Sequence, residues 1–481
     1  MKLQILSHAG MSLTSSSGSQ VVCDPWLIGS TYWRSWFNYP PVEEDLIASL
    51  KPDAIYLTHV HWDHFAGPSL RLFDPDIPII IPKEPAGRMA RDLRKDMKLN
   101  NIVELSHGES FMVGDIKLTS YQFFVFVDSA VVLECDDQVV FNANDAKFMG
   151  GPLKQILNNH PRMDFVLRSH SSANSRICYE VTDDPLVEVD DRDQYIKNFA
   201  EFVQATGATH AIPFASNHCH LHKEVLDYNN YAVSQQEVAD YFVKHNITDP
   251  ELHVMISGDY YDTEEGFVIP ENDWFTRRDE HIVEYLEREK DRLEKTYALE
   301  ARAKVNMKRT QKYFDKIFKA MPWFIRRLYR EDPVLFVLNS DDKQYLIEAD
   351  FYNKTVKEID SYTDESHPFQ IIVATALFNH CMAVDLFSHL AISKRVRYRM
   401  PKRLWKRARV LAYFFNFYEY EMLPLRVLKP GRFIGQWALR WREVLLYARI
   451  GLDALFGKSF DYRRYLEMPK PENTPKAEAK A

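Results

Sequence analysis

The sequence predicts an α/β fold over residues 1–270, followed by a helical and small α+β extension. Three observations carry this. Short apolar runs of strand character, among them 3–7, 20–24, 54–57, 77–81, 116–121, 139–142 and 209–215, alternate with stretches of helical periodicity. One run, Ala54-Ile55-Tyr56-Leu57, opens directly into Thr58-His59-Val60-His61-Trp62-Asp63-His64, which sets four metal-binding side chains at a strand end. Farther on, a strongly charged helical stretch from Asp279 to Lys304 gives way to three alternating strand-like segments and an apolar, helix-like one.

Composition narrows the class. The 481 residues leave room for two or three domains. With 46% hydrophobic and 27% charged residues, the chain is not disordered as a whole. A net charge of −8 gives no global attraction to nucleic acid. Cys23, Cys135, Cys178, Cys219 and Cys381 form no C-x-x-C pair. That argues for a reducing compartment and against a disulfide framework or a zinc finger. The N-terminus is already a strand pattern without a signal-peptide core, and no apolar run reaches the ~18 residues of a membrane span. The cytoplasm is the expected location.

The elements follow in order. Segments 3–7 and 20–24 read as a strand pair joined by the turn Thr14 to Ser19, and the second ends in Cys23-Asp24-Pro25-Trp26. Asp24 either starts a turn there or supports the metal loop. Thr31 to Pro41 is an aromatic loop carrying Tyr32, Trp33, Trp36, Phe37 and Tyr39, suited to cover a substrate or to pack on a second domain. Helical segments are expected at Val42–Leu50 and near Arg88–Lys98, and further strands at 102–105, Ala130–Glu134, Asp164–Arg168 and Leu252–Ile256. In the histidine cluster, His59 and His61 alternate, so both face one side of an extended segment. Asp63 and His64 then turn the other way and serve a second metal. Imidazole suits zinc, iron and manganese, and a carboxylate hardens the site, so iron or zinc is expected, one or two ions per chain.

The pattern His59-x-His61-x-Asp63-His64 resembles the signature loop of the metallo-β-lactamase superfamily. The resemblance implies an αββα sandwich with one or two metals at one edge of two facing sheets. Its members hydrolyse lactams, thioesters, phosphodiesters and lactones, and some use iron for redox chemistry. It assigns Asp24 to the support of a ligand histidine, Asp145 to the bridging carboxylate, and the last ligand to the loop Ser216-Asn217-His218-Cys219-His220-Leu221-His222. His222 is the choice there, with His218 and His220 behind it. Asp63 and Asp24 are the carboxylates assigned to catalysis. One departure stands out: where many members carry a third histidine, this chain reads Ser120-Tyr121-Gln122-Phe123 and continues to Asp128, so that either Gln122 or Asp128 substitutes or the first site is incomplete.

A narrower resemblance rests on Asp24-Pro25-Trp26-Leu27, Asp128-Ser129-Ala130-Val131-Val132-Leu133-Glu134, Pro213-Phe214-Ala215 with His222, and Gly258-Asp259. These are similar to the β-lactamase-like part of CMP-N-acetylneuraminate hydroxylase, whose group includes UDP-N-acetylmuramate hydroxylase. The similarity continues more weakly through 331–400. Those enzymes insert oxygen into the N-acyl group of a nucleotide-linked amino sugar and carry a Rieske domain. The paired Cys-x-His and Cys-x-x-His ligands of such a domain are missing from the N-terminus here. The resemblance therefore implies a hydroxylase of a nucleotide-linked or related small molecule that receives electrons from a separate protein. A dinuclear hydrolase of ester, phosphodiester or amide bonds is the alternative, and a non-catalytic metal-binding protein a third reading.

The expected organisation is a catalytic domain over 1–270, a helical connector over 271–330, a small α+β domain over 331–409, aromatic-rich amphipathic helices over 410–468, and a disordered tail over 469–481. The stretch Lys394 to Arg409 holds nine basic residues and no acidic one. It is expected to bind a nucleotide's phosphates or an anionic membrane surface, or to be a solvated helix face. Aromatic residues beside it add peripheral membrane contact to the expectations.

Overall fold

A computed structural model describes residues 1–466 except 124–127, 172–174, 185–191, 342, 421–429 and 459. The tail expected from 469 onward lies outside the described residues.

Alternation of side chains along each strand builds the first unit. In Gln20–Cys23, Val21 and Cys23 face one apolar cluster and Val22 another; in Ala54–Tyr56, Ala54 and Tyr56 face the first and Ile55 the second. The same division separates Val131 and Leu133 from Ala130 and Val132, and Phe165 and Leu167 from Val166. The shared cluster is the space between two facing sheets. The first sheet has eight strands in the order Gly266–Val268, Tyr260–Asp262, Lys2–Ile5, Met11–Thr14, Gln20–Cys23, Ala54–Tyr56, Ile79–Pro82 and Ile102–Leu105. The second has seven, in the order Glu251–Leu252, His210–Phe214, Phe165–Ser169, Gln138–Asn144, Asp128–Cys135, Ile116–Phe123 and Glu109–Val113. Helices cover both outer faces: Glu44–Ser49 and Arg88–Asp92 on the first sheet, Gly150–Asn159, Arg192–Thr206 and Gln235–Lys244 on the second. The expected αββα layering is present.

Some local expectations change. Segments 3–7 and 20–24 do not pair directly, because Met11–Thr14 lies between them and pairs with both. The late hairpin Tyr260–Asp262 and Gly266–Val268 extends the first sheet beyond Lys2–Ile5. In the second half, Val334–Asn339, Gln344–Asp350 and Thr355–Ile359 are strands as expected, but Phe369–Ala374 is one too. Its β-branched Ile371, Ile372 and Val373 suit a strand, and it pairs in parallel with Val334–Asn339. The helix that the sequence predicts over Pro368–Leu390 starts only at Thr375, and the sheet, which the alternating strands predict to be antiparallel, is mixed. Tyr179–Val181, from within the first 270 residues, forms its edge beside Val396–Met400.

The basic run is neutralised from within. Arg395 is buried against Glu224 and Glu300, Arg399 pairs with Asp364, Arg403 and Arg407 with Asp332, and Lys402 with Asp184. The expected phosphate or membrane role of this run therefore loses most of its charge. Among the described residues, no helix is long and apolar enough to cross a membrane. All five cysteines are buried and free of disulfides.

Glu419 ends the helix Trp405–Glu419 inside the protein, accepting from the backbone of Phe387 and Ser388 and from the Ser388 hydroxyl. Burial raises its carboxyl to about 7 against those hydrogen bonds. A folded value above the unfolded one (about 4.3) means that its contribution is present at low pH and lost as pH rises through 7. Wild-type stability should drop by about 1 kcal/mol between pH 6 and 8 from this group. Urea denaturation of Glu419→Gln should show that drop removed.

Candidate metal centre

Parallel strands bring their ends to one edge. Gln20–Cys23 runs parallel to Ala54–Tyr56, and Gln138–Asn144, Phe165–Ser169 and His210–Phe214 run parallel in the other sheet. Asp24 follows the first of these, His59 to His64 the second, Asp145 the third and His218 the last. His8 follows Lys2–Ile5 at the same edge, and its ring lies 5.2 Å from that of His218 and 6.1 Å from that of His64. Three of the strand-end residues, Asp24, Asn144 and Ala215, adopt left-handed backbone with φ of 44°, 37° and 50°. Such conformations are costly without glycine and concentrate where side chains must be aimed.

This arrangement decides the fold. The fold is that of the metallo-β-lactamases.

In this metallo-β-lactamase edge, Asp24 sits wholly buried beneath the histidine loop. Its carboxylate accepts from the Thr58 backbone N–H at 2.8 Å and the Thr58 hydroxyl at 2.6 Å, and it lies 2.7 Å from His64 Nδ1. His64 Nε2 is thereby presented to the centre, 3.5 Å from Asp63 and 3.4 Å from Asp145. Burial opposes charge on His64, but the carboxylates of Asp63 and Asp24 outweigh it and hold its pKa well above the usual imidazole range. His59 is driven the other way, by burial and then by His64 and His61. Asp63 is kept well below the usual carboxylate range by His64 and His8, despite its burial. Tyr32 donates to Asp63 at 2.5 Å. The aromatic loop thus belongs to the site itself, and Trp36 from it stacks on His218 at 3.7 Å.

The donors fit a metal. His8, Asp63 and His64 form one group, and His59, His64 and Asp145 another, each with one donor atom per residue within 4.8 Å of the others. His64 Nε2 and His218 Nδ1 are buried without a hydrogen-bond partner, and His8 Nε2 faces Asp63 Oδ2 at 3.1 Å. Buried polar atoms left unpaired are costly, and a cation would satisfy them together. His59 Nε2 and His61 Nδ1 converge to 2.8 Å, while His61 Nε2 meets the Tyr420 hydroxyl at 2.9 Å. A third group, His210, Glu251 and His253, lies at the opposite edge, where these strands begin.

The structure brings His59, His61, Asp63, His64 and Asp145 together with Asp24 beneath them, but not His222. The strand His218–His220 pairs with Trp36–Asn38, which fixes His218 against Trp36 and carries the chain past the edge. His222 ends 3.7 Å from Glu300 of the connector helix Arg278–Ala301 and edge-on to Tyr297. His220 is held at Ser35. Of the two stand-ins for the missing histidine, Gln122 is turned away, donating to the carbonyls of Lys83 and Leu105. Asp128 borders the same cavity as His61 and Asp145, and burial followed by the charge of Asp145 raises it to about 7. His8, Lys147 and Tyr420 are additions that sequence reasoning missed. The one signal for His8 was an isolated histidine at the end of the first strand, in Ser7-His8-Ala9-Gly10. Gly10 allows a close approach there, since a Cβ would lie 2.4 Å from Ser7 Oγ and 3.3 Å from the Asp24 carbonyl.

No protein-family model matches the chain. It is 28% identical over 247 residues to a protein of Mycolicibacterium smegmatis named as a Rieske 2Fe-2S iron-sulfur protein, covering 48% of this chain and 46% of that one. It is 34% identical over 102 residues to cytidine monophosphate-N-acetylneuraminic acid hydroxylase of Asterias rubens, covering 19% of this chain and 16% of that one. The chain therefore spans less than half the length of these curated relatives. Among solved structures, a diiron β-hydroxylase from Streptomyces venezuelae matches 53% of this chain and 52% of its own, at 18% identity and a TM-score of 0.35. Other matched structures include metal-dependent hydrolases and metallo-β-lactamase fold proteins. The matched proteins thus include enzymes of two kinds, hydrolases and hydroxylases.

The histidine assignments separate experimentally. His64→Ala and His218→Ala should each lower bound metal in protein purified without added metal, measured by elemental analysis. His222→Ala should keep the wild-type content. The reverse pattern would return His222 to the ligand set.

Proposed function

We propose that the chain is a metal-dependent hydroxylase of the oxygenase type that receives electrons from a separate Rieske-type protein. The observation that supports it is the donor set. His8, Asp63 and His64 form one donor group and His59, His64 and Asp145 another, with His61, His218 and Asp128 lining the same edge. Mixed imidazole and carboxylate sets with open positions suit iron. Iron held there supplies the one-electron chemistry that O₂ activation needs. Insertion of one oxygen atom into a C–H bond consumes O₂, two electrons and two protons and releases water. A reductant is therefore required, and the similarity to Rieske proteins supports its class.

The chain's own residues prepare the site. Asp24 holds His64 by Nδ1 and leaves Nε2 for the ion. Tyr32 orients Asp63 by donating to one of its oxygens, which leaves the other toward His8 and His64. Trp36 packs flat on His218 and excludes water from its face. The cavity over the centre measures about 450 Å³ and is bordered by Lys147, Ser169, Ser171 and Ser216 on its polar side. Lys147 donates to the Tyr195 hydroxyl at 2.8 Å, which keeps its pKa above the ordinary value against burial. It is placed to receive an anionic group of a small-molecule substrate. The partial similarity to the neuraminic acid hydroxylases makes a nucleotide-linked amino sugar the first to assay.

Protein purified without air and without added metal should carry near-stoichiometric iron and consume O₂ when given a reduced electron donor and CMP-N-acetylneuraminate or a related substrate. Two donor groups meeting at His64 also favour a second reading, a dinuclear hydrolase. Two zinc ions per chain, with turnover of esters, phosphodiesters or amides in the absence of O₂, would replace the hydroxylase by it.

Peripheral membrane contact rests on exposed Leu445, Leu452, Leu455 and Phe456 along and just after the helix Trp441–Leu455. Co-sedimentation with anionic phosphatidylserine vesicles is expected, and recovery entirely in the supernatant at low salt would remove this element.

A further inference from the structure

A second cavity, of about 260 Å³, lies between the helix Trp405–Glu419 and the C-terminal sheet. It shares His61 and Asp128 with the larger one, so the two volumes flank the same side chains of the metal centre. Their chemistry differs. The larger holds Lys147 and three serines. The smaller is walled by Phe369, Ile371, Phe387, Leu411 and Phe415, which belong to the buried core of the C-terminal unit. Protein cores seldom keep voids larger than a water molecule, and apolar voids stay dry. No lysine or arginine is among its lining residues. A phosphate would find no counterion there, whereas the larger cavity offers Lys147 beside the carboxylates of the centre. Two of the polar groups at its border are engaged, since Tyr420 meets His61 and Ser388 donates to Glu419, and most of the remaining wall is apolar. What remains for a ligand is apolar contact.

We propose that this cavity receives an apolar chain of the substrate, alkyl or aryl, while an anionic group of the same molecule lies toward Lys147 in the larger one. The reacting carbon then sits between them, beside His61 and Asp128. This makes the substrate an amphiphile whose chain determines specificity. The placement of the reacting carbon rests on the reading of the metal centre as catalytic, whereas binding of the chain does not.

The test uses the full-length, metal-containing protein and the straight-chain alcohols from hexan-1-ol to decan-1-ol, titrated by calorimetry. Affinity should rise about fourfold per added methylene until the cavity is filled. Ala412, half-buried on the helix and part of the cavity wall, gives the filling variant Ala412→Trp. It should weaken decan-1-ol binding at least tenfold (about 1.4 kcal/mol) with metal content and circular dichroism unchanged. Ala391→Trp, on the same wall, serves if that variant fails to fold. His64→Ala should lose metal yet still bind decan-1-ol, so loss of the catalytic reading and loss of the chain site give different results. Affinity independent of chain length, equal binding to the filled variant, or displacement of the alcohol from the cavity by cytidine or uridine monophosphate would overturn the proposal.

Discussion

The site depends on a single buried carboxylate. Asp24 stands in left-handed backbone at a strand end, out of water, and three donors of the neighbouring loop close on it: the Thr58 amide, the Thr58 hydroxyl and the ring of His64. A buried anion is tolerable only when it is so enclosed. The enclosure ties the loop to the end of the first parallel strand pair, and it orients a histidine whose other nitrogen faces the centre. Ser129 adds a second tie, donating to the Thr58 carbonyl at 2.7 Å from the opposite sheet. The loop carrying most of the candidate ligands is thereby held by both halves of the sandwich.

How legible was this in the sequence? The histidine loop was, because four donors packed into one short segment after an apolar strand seldom occur except around a metal. Asp145 and Asp24 were legible only through the family resemblance, since a turn aspartate reads the same in the residues alone. His218 was not. That His218, and not His222, lies at the edge depends on a short antiparallel pairing with Trp36–Asn38, between segments far apart in the chain, and local pattern carries no information about such a partner. That Asp128 and not Gln122 borders the cavity was likewise a matter of which way a strand's side chains turn. The apolar stretch Phe369–Ala374 shows the other limit: read alone, a short run rich in Ile and Val fits a buried strand or the start of a buried helix. Its neighbours in the mixed sheet decide.

The C-terminal half is not an appendage to the centre. Tyr420 reaches His61, and His389 packs within 5.6 Å of the same ring. Arg395 binds Glu300 of the connector helix, Glu224 of the loop after His222 and the Trp33 carbonyl at once. That buried guanidinium joins the aromatic loop, the connector and the C-terminal sheet at one point. Its partners, with those of Arg399, Lys402, Arg403 and Arg407, take up part of the charge that the sequence, read as a basic run, offered to a phosphate or a membrane. A run of one sign in a sequence says little about surface potential until the acidic residues that fold against it are known.

The edge strand Tyr179–Val181 has a consequence for how this chain is made. Glu180 pairs in register with Arg399, 219 residues later. During synthesis the first sandwich emerges with an unpaired strand whose partner is translated much later. Contacts of such sequence separation slow folding and expose intermediates. A fragment cut near residue 270 would keep a bare strand edge and lose Tyr420 from beside His61.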